Sequence, residues 1–178
     1  MKIDILFIHP NASKKIYQDL SKDHAAIEPP IWAGMLNSAC LNKGFKSEIL
    51  DCEVNHFDYE KSAEVINDLS PKIACFVVYG QQPSASSQNM EGAVEVSNRL
   101  KNLSPNIKIF FVGGHVAALP YETLKNEKSI DIVANNEGVI STLNLLQLKN
   151  LDDVSLKKLM EFFFEIKMGI LKKIHLKL

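Results

Sequence analysis

The chain has 178 residues, enough for one domain with a sizeable core and a tail but not for two ordinary domains. An apolar fraction of 46%, a charged fraction of 23% and a net charge of -1 fit a soluble globular protein and remove the electrostatic case for nucleic acid or an anionic membrane. Arg99 is the sole arginine, so bidentate recognition of phosphate or carboxylate is barely equipped.

Residues 3–8 (IDILFI) predict a buried first strand that His9-Pro10 ends, because proline restrains its neighbour and cannot continue a ladder. Residues 11–28 are polar and non-periodic, the length of a mobile or functional loop, and are expected to lie as a lid over the sheet edge, with His24 solvated within it. Pro29-Pro30 opens a helix whose apolar stripe is Ile31, Met35, Leu36, Ala39 and Cys40, with Gly44 beyond its end. Residues 45–50 alternate and end in Asp51, a second strand; residues 59–69 give the next helix, stopped by Ser70-Pro71.

Residues 73–79 (IACFVVY) are the most apolar strand and should be central. Gly80-Gln81-Gln82-Pro83-Ser84 follows, with two carboxamides and a hydroxyl suited to a neutral polar ligand, or equally to a turn with an N-cap serine. A helix over 86–103 leads to the stretch 107–120, IKIFFVGGHVAALP, which predicts a buried strand ending at Gly113-Gly114. In open parallel sheets ligands sit outside the carboxyl ends of strands, and glycines there let a backbone or ligand approach. A short helix over 120–125, a fifth strand over 130–134, Asn135-Asn136-Glu137-Gly138 and a helix to about residue 148 complete the core.

The repeated strand–helix alternation demands right-handed crossovers and a parallel sheet with helices on both faces. We therefore expect an α/β, Rossmann-like (flavodoxin-like) doubly wound sheet of five strands in the order 2-1-3-4-5, with domain boundaries at 1–150 and 151–178. The second part reads as a C-terminal helix. Its charges forbid a membrane span, and Phe162, Phe163 and Phe164 exceed one helix face, so either it packs on the core, on a partner or on a second copy, or it is a vestigial terminus exposing apolar surface.

Missing residues remove several chemistries. No G-x-G-x-x-G, G-x-x-x-x-G-K-[ST] or G-x-S-x-G occurs, and the first strand is not followed by the acidic residues of a phosphoacceptor. Cys40, Cys52 and Cys75 lack metal-ligand spacing and read as buried, reduced thiols of a cytoplasmic protein; no cleavable signal opens the chain. His9 and His115 alone fall at predicted strand ends on the ligand edge, and without a third ligand they define no metal site.

In order, EPPIWAGML (28–36), KGFKSEILD (43–51), VVYGQQPS (77–84), VGGH (112–115) with LPYETL (119–124), and NNEG (135–138) resemble the N-terminal cobalamin-binding domain of B12-dependent radical SAM enzymes over residues 2–146. The resemblance implies cobalamin held over the carboxyl edge, with its nucleotide tail beside the third and fourth strands. Gly80, Gln81, Gln82, Pro83 and Ser84 would face corrin and tail, Gly113 and Gly114 would admit the tail, Glu137 and Gly138 would close the far side, and His9 and His115 would lie near the corrin. The D-x-H-x-x-G motif whose histidine ligates cobalt is absent, as is the C-x-x-x-C-x-x-C of a radical SAM barrel. The implied function is a cobalamin-binding module without its own catalytic cluster, served by a separate radical SAM domain. The alternatives are a small flavodoxin-like enzyme or ligand sensor using His9 and His115 as acid and base, and a truncated domain that binds nothing.

Overall fold

A computed structural model describes residues 2–11, 29–80, 83–149 and 151, without the side chains of 83–85. Strands β1 (Ile5–His9), β2 (Ser47–Asp51), β3 (Ile73–Val77), β4 (Lys108–Val112) and β5 (Ile132–Val133) form one sheet. Every pairing is parallel and the order is β2-β1-β3-β4-β5, as the alternation predicts. The direction of winding reverses between β1 and β3, and all five carboxyl ends share one rim.

The period of two sorts each apolar strand between two cores. On one face Leu6, Ile8, Ala74, Phe76, Ile109 and Phe111 pack against Ala63 and Ile66 of α2 (Tyr59–Leu69) and Ala93, Val96 and Leu100 of α3 (Pro83–Leu103). On the other, Ile5, Phe7, Cys75, Val77, Phe110 and Val112 meet α1 (Ile31–Asn42) and Leu145 of the helix Val139–Leu146. The β3–β4 register sets Phe76 beside Phe111, and their rings stack with centroids 4.9 Å apart. Each such buried ring contributes roughly 2–3 kcal/mol by removal from water.

The helix ends follow local chemistry. Asp58 Oδ1 accepts from Lys61 N at 2.7 Å to cap α2, whose far end turns through Ser70 at φ 46°. Gly44 takes φ 82° just past α1. Between β4 and β5 lie two short helices, α4 (Gly114–Ala118) and α5 (Pro120–Asn126), and the last helix among the described residues is α6 (Val139–Leu146).

Four details differ from expectation. α3 begins at Pro83 rather than Ser86, because proline suits a first helical turn. The small residues after Gly114, which the sequence pattern assigns to no element, form α4. β5 is short, yet Asp131 N and Ala134 N still bond to the β4 carbonyls of Ile109 and Phe111 at 3.0 Å, so the predicted fifth strand does line β4. On α1 the buried stripe is Ala33, Leu36 and Cys40, while Ile31 and Met35 are exposed. Of the expected lid (11–28) only Asn11 is described; residues 12–28 and the expected C-terminal helix (152–178) lie outside the described residues.

Candidate functional site

The rim is built from four turns, each held by its own hydrogen bonds. After β2, the Asp51 carboxylate accepts from Glu53 N and Val54 N, both at 3.1 Å. That turn sends Glu53 back toward β1, where His9 Nε2 donates to its carboxylate at 3.3 Å. The side chains are 12% and 15% exposed, so the contact is largely shielded from water. Glu53 was not marked by any motif; it emerges only from the β1–β2 pairing.

After β3 the ladder runs one residue further, Val78 N donating to Val112 O at 2.8 Å. The buried Ser86 hydroxyl donates to Val78 O and accepts from His115 N at 2.9 Å. Ser87 Oγ meets His115 Nδ1 at 2.8 Å, and Asn89 Nδ2 donates to Tyr79 O at 3.0 Å. Three side chains in the first turns of α3 thus bolt together the ends of β3 and β4. Gly113 belongs to this junction: a Cβ there would lie 2.6 Å from Val78 O, so the glycine is required by a neighbouring backbone, its own φ of 163° being ordinary extended chain. Gly114 is exposed and faces Ser86 at ordinary contact distance.

After β5, Asn136 Oδ1 accepts from Gly138 N at 2.8 Å and from Ser141 Oγ at 3.0 Å. Gly138 has φ 87°, and a Cβ on it would lie 2.2 Å from Val112 Cγ1. The turn therefore sits directly on the end of β4. Glu137, exposed on that turn, acts across the rim: burial, with this carboxylate adding to it, pushes the Tyr79 phenol above its ordinary value.

Between the ends of β1 and β3 and the start of α1 a recess of about 340 Å³ opens, lined among others by His9, Val77, Tyr79, Gly80, Trp32 and Met35. Trp32 and Tyr79 stack in its wall, centroids 4.4 Å apart and planes 22° from parallel. Trp32 lay in the EPPIWAGML stretch but outside the stripe expected to matter. A larger recess of about 730 Å³ opens at the opposite edge, bordered by Lys2, Asp4, Lys72, Ser104, Lys108 and Leu148. It lies at the amino ends of the strands, where doubly wound sheets do not place ligands, so the smaller recess is the functional candidate.

The structure brings His9, Gly80, Gly113, Gly114, His115, Glu137 and Gly138 to this one rim; Gln81 and Gln82 and the side chains of Pro83 and Ser84 lie outside the described residues. Among the described residues no three His, Cys, Asp or Glu side chains gather as a metal site. His9 and His115 each engage a separate partner, Glu53 and Ser87.

A family model for the B12 binding domain matches residues 22–143, more than half of the chain. The chain belongs to the B12-binding domain family. Cobalamin is thus its cofactor class, and the parallel sheet with order 2-1-3-4-5 is this family's Rossmann-like architecture. This B12-binding domain resembles in fold a solved radical S-adenosylmethionine methyltransferase, TsrM from Kitasatospora setae, with tryptophan substrate and a SAM analogue bound. The TM-score is 0.59 at 14% identity, over 80% of this chain and 25% of that one. The TsrM structure with cobalamin and a [4Fe-4S] cluster bound gives a TM-score of 0.51 at 16% identity, over 72% and 21%. This B12-binding domain therefore spans about a quarter or less of those proteins. No curated protein matches it in sequence. Among the described residues, no helix is long and apolar enough to cross a membrane.

The rim fits a corrinoid on its own chemistry. A large ring edged with neutral amides needs carbonyl and hydroxyl partners and apolar walls more than charge. The recess offers an apolar, aromatic lining with no carboxylate or ammonium group. On the same face of the sheet, Thr142 Oγ1 in α6 and Asn37 Oδ1 in α1 are buried with no hydrogen-bond partner among the described residues.

Proposed function

We propose that this chain is a cobalamin-binding module without a catalytic cluster of its own, related to the B12 domains of radical SAM enzymes and working with a separate radical SAM catalytic domain. The observation that carries the reading is the recess at the switch point, open at the carboxyl rim and walled by Trp32 and Tyr79. The corrin lies over the loops after β1, β3, β4 and β5. There Gly80, Gln81, Gln82, Pro83 and Ser84, with His115, serve its amides, and Gly113, Gly114, Glu137 and Gly138 shape the far side. The nucleotide tail descends into the recess, between β1 and β3, one strand over from the position the resemblance suggested. Bound cobalamin supplies the cobalt-centred chemistry that this chain's side chains lack. What the residues do is orient it: His9, held by Glu53, stands at the recess, and the Ser86 hydroxyl keeps the β3 and β4 loops in register. Its three buried, reduced cysteines support reading it as cytoplasmic.

Gel filtration after mixing with hydroxocobalamin tests the reading. Corrin absorbance should co-elute with the protein at one equivalent. Protein eluting free of colour at cobalamin concentrations well above micromolar would overturn it.

A further inference from the structure

We propose that the recess at the amino edge of the sheet is the seat of residues 152–165 of the same chain. Doubly wound sheets place small ligands at the opposite rim, so this recess of about 730 Å³ calls for another kind of occupant, and its lining suits polypeptide. Its apolar part is Ile107 at the start of β4, Leu146 and Leu148 at the end of α6, and Leu103, which closes α3 with 47% of its surface open. Around these stand Lys2, Lys72, Lys108 and Lys149, and the one carboxylate among the described lining residues, Asp4, already accepts from Lys72 Nζ and Lys46 N. An apolar recess with a surplus of lysines fits an occupant that is apolar and acidic at once.

Residues 152–165 (DDVSLKKLMEFFFE) have that composition: four carboxylates against two lysines, with seven apolar side chains, three of them phenylalanine. The next thirteen residues, 166–178, hold four lysines and no carboxylate, so the complementarity stops near Glu165. Position makes the same choice. Leu151 packs on the core beside Leu148 and itself lines the recess, so residue 152 starts at its wall. A segment tethered that closely meets its seat at an effective concentration of about millimolar, an advantage that neither a second copy nor a free partner has.

The test treats the full chain, mixed as equal parts of unlabelled and heavy-nitrogen protein, with a zero-length carbodiimide that joins a carboxylate to an amine only where the two already meet. Mass spectrometry of the peptides should find Glu161 or Glu165 joined to Lys2, Lys72, Lys108 or Lys149 within molecules of one isotope; Asp152 and Asp153 stand too near Lys149 in the chain to count. Phe162→Ser, Phe163→Ser and Phe164→Ser made together should lower the yield of these links at least about fivefold, and Leu103→Glu, a carboxylate set in the apolar mouth, should do the same. Leu103→Met should leave the yield within about twofold. Circular dichroism confirms that each variant keeps the fold. Links chiefly between the two isotopes would give the recess to a second copy and overturn the seat within one chain. Absence of the links, or a yield that the serine and glutamate variants leave unchanged, would overturn docking altogether.

Discussion

Gly138 shows how one atom decides the shape of the rim. Its φ of 87° already disfavours any other residue, and a Cβ would overlap Val112 Cγ1 at 2.2 Å, a core side chain with no room to retreat. Gly138→Ala should therefore lower stability by about 2–4 kcal/mol, the sum of left-handed backbone strain and overpacking. Urea unfolding measures it; a loss under about 0.5 kcal/mol would mean that the β5–α6 turn does not sit on β4 as described. Gly113 is excluded from change by a different cause, the carbonyl of Val78, so Gly113 and Gly138 act through two mechanisms. The Asn136 carboxamide completes the turn by bonding Gly138 N and Ser141 Oγ, which explains why an asparagine precedes the glycine by two.

Among the elements, α1 separates what patterning can and cannot tell. Helix, crossover and C-terminal glycine were all readable from Pro29-Pro30, the apolar spacing and Gly44. The facing of the helix was not, because apolar residues occupy nearly its whole circumference and several stripes compete. Packing chose Ala33, Leu36 and Cys40, whose small or slim side chains let the helix lie close to β1, and turned Ile31 and Met35 toward the rim. Leu36→Ala should then cost about 2–4 kcal/mol and Met35→Ala less than about 0.5 kcal/mol, although a simple hydrophobic stripe ranks them equal. Thermal melts of the two variants side by side would distinguish these. The strands were readable to within about two residues at their ends, since five short apolar runs bounded by proline, glycine and asparagine leave little freedom. The His9–Glu53 contact and the Ser86 bolt were not, because their members lie 44 and 29 residues apart and meet only through strand pairing.

For the molecule as a whole, the two cores bury every cysteine. Burial pushes the Cys40 and Cys52 thiols up to about 11 and Cys75 well above its ordinary value. Native protein at pH 8 should show no thiol reacting promptly with a disulfide reagent, and all three should react once guanidinium unfolds it. A raised thiol value favours the neutral native form, so its contribution is complete below the unfolded value of 9.0 and is lost as pH climbs through about 11. Stability should accordingly fall over that window. One prompt thiol in the native state would contradict the burial of all three. The same molecule carries a single indole, Trp32, and the fold has set it in the wall of the candidate seat, not in the core. Its emission is therefore a built-in gauge of that seat: quenching by an arriving chromophore and the spectral change on unfolding come from one fluorophore, with no label attached.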